Sequence, residues 1–369
     1  MEPKEKLEYI IHNIHCHVFT IDYLPKKFVG WYLPTTLLRK KWIVKRLFKL
    51  VKRFVPSLAG FFYSAIKTDQ KDIFNELRGY YPKTARFCPL SIDFDYMKAG
   101  KAKKDYLQQL EDMVAIKEED TKKGLGVFLP FVCADPRRKD VFALVKEHIE
   151  THHFSGIKLY PALGFFPDDT RLDAVYAYAE KHQIPITTHC IPKNKNHFRY
   201  RPTSKMIATA KERFSFYNEK DSRKSYDFAK YLNHPDNYNY VLEKFPKLKL
   251  NFAHFGGNEE WNNYLDISDE NFKEERNWYS LIRKMIVKYE NVYADISFTV
   301  YDHELYPLLR NLLKTPNVKH RVLFGSDFYM LQKDYSERRF GIDVRGYLND
   351  DEYWLIAESN PKEFLKTSR

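Results

Sequence analysis

The sequence predicts an α/β protein built as a closed (β/α)8 TIM barrel with helical insertions after its first and fifth strands. Three observations carry this. Eight short β-branched or apolar runs recur along the 369 residues, helical periodicity fills the intervals between them, and polar residues close several of the runs. Eight alternating units point to a closed parallel barrel rather than an open sheet.

In chain order the runs are Tyr9 to His17, Arg86 to Ile92, Leu125 to Val132, Ser155 to Tyr160, Ile184 to His189, Leu248 to His254, Asn291 to Ile296 and Arg321 to Asp327. Leu172 to His182 illustrates the helical intervals: Leu172, Val175, Tyr176 and Ala179 share one face, and the strand-like IPITTH follows directly. Two intervals are too long for simple connections. The first predicts a basic helical insertion at about 21–85, the second a loop and helix insertion at about 191–240. Loops that follow barrel strands emerge at the C-terminal face, so both insertions should roof the site there. No internal repeat or domain boundary is visible, and residues 1–369 read as one barrel domain.

A hydrophobic content of 44% with 16% aromatic residues excludes a disordered chain, which lacks the apolar surface to offset ordering entropy. No segment approaches the roughly 20 apolar residues of a membrane span. The opening MEPKEKLEYI lacks the features of a secretory signal, so a cytoplasmic protein is expected. Cys16, Cys88, Cys133 and Cys190 are too scattered for a disulfide framework and read as buried thiols.

The net charge of +12 is concentrated: Lys26 to Arg53 holds ten basic residues and no acid. The rest is nearly neutral, which argues against nucleic acid as a partner. Within this stretch, Leu37 to Val55 reads as a helix with Leu38, Trp42, Leu47, Val51 and Phe54 on one side and basic residues between them. It suits a lid or a subunit contact in a homo-oligomer, or peripheral contact with an anionic membrane through residues 37–55. A non-catalytic scaffold for this helix is the alternative of another class.

The chemistry lies where the strands end. His15 and His17 alternate with Ile14 and Cys16, so strand geometry sends both imidazoles to one face. Neutral imidazole is a common ligand for zinc and related divalent metals. Lys158 and Tyr160 share a face in GIKLY, His189 closes IPITTHC, His254 closes LKLNFAHFGG, and Asp327 closes RVLFGSDF. A barrel converges its catalytic groups at these ends, so the set reads as one metal site. His197, Arg199 and Arg201 in the second insertion, with Tyr160, are candidates to bind a small-molecule, anionic substrate. Asp93 and Asp95, just beyond the second run, could line the pocket, with caps or surface carboxylates as the more ordinary reading.

At these residues the chain resembles the amidohydrolase superfamily, in its amidohydrolase 2 branch of metal-dependent hydrolases. The motifs are NIHCH, GIKLYP, TTHC, NFAHFGG, VLFGSDF and the terminal NPKEFL; residues 21–85 show little of the resemblance. It implies that His15, His17 and Asp327 bind a first metal. In binuclear members His189 and His254 hold a second, bridged by a carboxylated lysine that Lys158 would match. In mononuclear members His189 joins the first metal, and His254 positions or polarises the reacting group. Lys158 could equally bind a substrate carboxylate or phosphate. One or two divalent ions are implied, zinc first, with Mn, Fe or Ni fitting the same donors.

The expected reaction is hydrolysis of an amide, lactone or ester by activated water, with Asp327 moving the proton and His254 serving the developing oxyanion. The runner-up is decarboxylation or hydration of an aromatic or unsaturated acid.

Overall fold

The computed structural model describes residues 9–28, 67, 69–194, 196–266, 272–328 and 335–368. Its strands are β1 (His12–Cys16), β2 (Arg86–Pro89), β3 (Phe131–Cys133), β4 (Gly156–Leu159), β5 (Ile186–His189), β6 (Leu250–Ala253), β7 (Val292–Asp295) and β8 (Val322–Leu323). Each falls in or across one of the eight apolar runs.

Strands β3 to β8 form a parallel sheet in sequence order, and β1 pairs with β2. Backbone hydrogen bonds close the ring. Ile14 N donates to Phe324 O (3.1 Å) and His17 N to Phe328 O (2.7 Å), joining β8 to β1; Leu129 N donates to Phe87 O (2.8 Å), joining β2 to the approach to β3. The third strand is shorter than its apolar run because Pro130 has no N–H to give a ladder. Among the described residues, isolated bridges, Phe87 with Phe128 and Leu90 with Phe131, link this run to the second.

Helices cover the barrel with their apolar faces and are capped locally. Tyr106–Lys122 starts with a capping box between Asp105 and Gln108 and buries Leu110, Met113 and Ile116. Glycine at 156 is a packing requirement, since a Cβ there would lie 2.4 Å from the Phe131 ring. The interval from Leu172 resolves into a short turn, Thr170–Leu172, and the helix Asp173–His182.

After β5 the insertion carries the helices Ser204–Arg213, Ser225–Asn233 and Asn237–Lys244. Phe198, Phe214, Phe228 and Tyr231 give it an aromatic core of its own. After β1, the helix Gln70–Arg78 ends the insertion, and the basic helix expected at 37–55 lies outside the described residues. The four cysteines are free and buried. Among the described residues no helix is long and apolar enough to cross a membrane.

Candidate metal centre

His15, His17, Lys158, His189, His254 and Asp327 stand at or just beyond the ends of β1, β4, β5, β6 and β8, and none is more than 7% exposed. Ring centroids lie 5.4 Å apart for His15 and His17, 4.7 Å for His15 and His254, and 4.8 Å for His189 and His254. The structure thus brings all six together.

Two of them sit on strained backbone. His254 (φ 65°) and Asp327 (φ 59°) occupy the left-handed region, uncommon for any residue but glycine. His254 N is held by Asp295 Oδ1 at 3.1 Å, and Asp327 N by His15 O at 2.8 Å. Next to them Gly325 lets β8 close on β1, because a Cβ there would meet His15 Cβ at 2.8 Å.

Hydrogen bonds assign the ring protons. His17 Nδ1 lies 2.9 Å from Leu90 O. A carbonyl only accepts, so Nδ1 carries a proton, and Nε2 faces Asp327 Oδ1, 3.2 Å away. His254 Nδ1 likewise donates to Ser297 O at 2.9 Å, which leaves its Nε2 to accept from His189 Nδ1 at 3.2 Å. His189 Nε2 is then unprotonated, and it is buried without a hydrogen-bond partner. His15 Nδ1 faces Asp295 Oδ2 at 3.2 Å and Ser297 Oγ at 2.9 Å. Its Nε2 also lacks a hydrogen-bond partner, 3.6 Å from Asp327 Oδ1.

Burial pushes His15 down to about 4 and holds His189 and His254 below the usual histidine range. Burial pushes the Asp295 carboxyl up, but His15, His254 and Ser297 outweigh it and hold the group well below the ordinary carboxylate range. Burial also lowers Lys158 to about 8, against the pull of Asp295 and Asp327. Lys158 Nζ has no hydrogen-bond partner and lies 5.7 Å from the Tyr160 ring centroid.

Among the described residues two groups could hold a cation: His15, His17 and Asp327, or His15, His254 and Asp295, each with ligand atoms within 4.8 Å of one another. The second group is already knitted together. Ser297 Oγ contacts Asp295 and the Nδ1 atoms of His15 and His254. The first leaves His15 Nε2 and Asp327 Oδ1 unpartnered. An unpaired buried polar atom costs roughly 1–3 kcal/mol, so several in one space point to a bound group. Neutral imidazole nitrogens with one carboxylate suit a divalent metal of zinc type.

Tyr160 lines the same space, its ring 4.3 Å from that of His189 and its hydroxyl 3.3 Å from Asn194 Nδ2 in the insertion. His197 and Arg199 form a clasp on the rim. Arg199 Nη1 lies 2.7 Å from His197 Nε2, Nη2 donates to Phe28 O (3.0 Å), and the backbone N–H to Met97 O (2.8 Å). The clasp ties together the loops after β1, β2 and β5. Arg201 is exposed to solvent. Asp93 is buried and paired with Arg138 (2.7 and 2.9 Å), which also meets Asp95 (2.8 Å), so both carboxylates are structural.

Sequence reasoning missed Asp295, Ser297 and Asn251, whose Nδ2 donates to Asp295 at 2.7 Å. Asp295 closes its strand as the ligands close theirs, and that signal could have found it. Ser297 and Asn251 carry no comparable signal.

The amidohydrolase family model matches residues 107–367. No curated protein matches. Solved structures with the same fold include an uncharacterised TIM-barrel protein from Bordetella bronchiseptica, 13% identical with a TM-score of 0.54 over 97% of this chain and 98% of that one. Another is 2,6-dihydroxybenzoate decarboxylase from Rhizobium, 12% identical with a TM-score of 0.53 over 97% and 99%. A third is 5-carboxyvanillate decarboxylase from Novosphingobium aromaticivorans with bound manganese, 10% identical with a TM-score of 0.53 over 99% of both chains. The match over most of the chain, together with the histidine and aspartate centre at the barrel mouth, makes the chain a member of the amidohydrolase family.

Proposed function

We propose that this protein is a metal-dependent hydrolase of a small acyl compound, an amide, lactone or ester that carries a negative charge. The observation that carries the reading is the convergence of unpartnered buried atoms: His15 Nε2, His189 Nε2, Asp327 Oδ1 and Lys158 Nζ. His15, His17, His189 and Asp327 would hold one cation, zinc by preference. A divalent ion bound there supplies Lewis acidity, polarising a substrate oxygen and lowering the pKa of water.

The chain's own groups do the rest. The Asp327 carboxylate takes the proton of the attacking water and returns it to the leaving group. Lys158, whose Nζ is buried without a hydrogen-bond partner, holds the substrate's anionic group. As a tautomer protonated at Nδ1, His254 has no second proton for an oxyanion, and it orients His189 instead. Tyr160 forms a wall, and the His197–Arg199 clasp limits access of water.

Decarboxylation of an aromatic acid is the second reading, favoured by the two decarboxylases that share the fold. Fold alone is weak warrant for chemistry. The test is turnover of zinc- and manganese-loaded protein on two panels, N-acyl amino acids with carboxylated lactones, and hydroxybenzoates. Acid release from the first panel supports hydrolysis. Release of CO2 from the second, with none from the first, contradicts it.

A further inference from the structure

We propose that the end of β7 is the positioning element of the metal centre: Asp295 sets the ring tautomer of His15, and the Ser297 carbonyl, working through His254, sets that of His189. This rests on the metal-centre reading above and adds to it the residues that make its ligands competent.

Around the Asp295 carboxylate stand only donors: His15 Nδ1 (3.2 Å), Asn251 Nδ2 (2.7 Å), His254 N (3.1 Å), Ser297 N (3.1 Å) and Ser297 Oγ. Ser297 Oγ gives its proton to Asp295, so toward His15 Nδ1 and His254 Nδ1 it can only accept. Both rings are therefore protonated at Nδ1. For His15 this leaves the Nε2 lone pair directed toward Asp327. For His254 it leaves Nε2 as an acceptor, which requires His189 to donate from Nδ1 and keep its own Nε2 lone pair. One short segment, three residues long, thus orders two ligands from different strands, one directly and one through an intervening ring.

His254 is consequently a positioning residue and not a ligand. Asp295 is one as well: its oxygens are engaged by donors, whereas Asp327 Oδ1 lacks a hydrogen-bond partner. Outer partners of this kind typically change metal affinity or activity ~10–100-fold.

The test compares zinc affinity, by competition with a chromophoric chelator, in the full chain and in Asp295→Asn, His254→Leu, His254→Gln and His15→Ala. Asparagine at 295 would bring two amide protons into a ring of donors, so affinity should fall ~10–100-fold. His254→Leu removes the acceptor for His189 and should fall similarly, while the carbonyl oxygen of His254→Gln can still accept and should restore most of the loss. Equal loss in Leu and Gln variants, or none in Asp295→Asn, overturns the proposal. Retention of zinc by His15→Ala overturns the metal-centre reading itself, a separable failure.

If the variants do not fold, the wild-type protein decides. With 15N-labelled histidine, long-range 1H–15N spectra of chelator-treated protein should show His15, His189 and His254 protonated at Nδ1. Protonation of His15 or His189 at Nε2 contradicts the proposal.

Discussion

At the ends of β2 and β3 the buried carboxylates of Asp93 and Asp135 are met by Arg138 and Arg137, at 2.7 and 2.6 Å. At the ends of β4, β5 and β8, Lys158 Nζ, His189 Nε2 and Asp327 Oδ1 are buried with no hydrogen-bond partner. Both regions belong to the same barrel mouth and both are rich in charge. The difference shows what marks a site. Charges that satisfy one another hold loops in place, whereas buried groups left unsatisfied persist when something else completes them.

The strongest way to break this contrast is to remove a ligand. His15→Ala, His17→Ala and Asp327→Ala should each weaken cation binding by more than the roughly 10–100-fold that an outer partner costs. Turnover should fall in parallel, and isothermal titration with zinc reads the first effect. Retained binding in all three would place the centre elsewhere.

On the paired side the effect should be on stability alone. Arg138→Met leaves Asp93 buried without its partner and should cost about 3 kcal/mol of unfolding free energy in urea. Zinc affinity should stay unchanged. Loss of affinity without loss of stability would move this ion pair into the site.

Glu337 is a buried acid that is not among the ligands, although it lies close enough to Ser326 and Asp327 to interact with both. Its Oε1 accepts from Tyr81 at 2.6 Å and its Oε2 has no partner. Burial pushes this carboxyl up from 4.5 to about 7. The folded state therefore keeps a proton that the unfolded chain releases. Its contribution to stability is present below about 4.5 and is lost as pH rises to about 7. Glu337→Gln should remove that decline, worth up to roughly 3 kcal/mol, when unfolding is measured from pH 4 to 8. A wild-type profile matching that of the variant would mean that Glu337 is ionised where it sits.

Much of this was legible in the sequence. The alternation in His15-Cys16-His17 places two imidazoles on one face, and the ladder does continue to His17 N. One rule, that polar residues closing barrel strands converge, singles out Lys158, His189, His254 and Asp327. The same rule applied to the seventh run would have named Asp295. Its role could not have been read, because its partner His15 lies 280 positions away and the contact exists only when the barrel closes. The rim was less legible for a related reason. Cationic residues in a long loop were expected to face a substrate, yet Arg199 reaches the Phe28 carbonyl and Arg201 is exposed. Where a loop side chain points depends on neighbouring loops, which no local pattern encodes.

The proposed centre is a single cation held by His15, His17, His189 and Asp327, with Lys158 left for substrate. Elemental mass spectrometry of the purified protein, Lys158→Met and His15→Ala tests it most directly. About one divalent ion per chain is expected in the first two and none in the third. About two ions per chain, falling when Lys158 is replaced, would contradict it and establish a lysine-bridged pair instead.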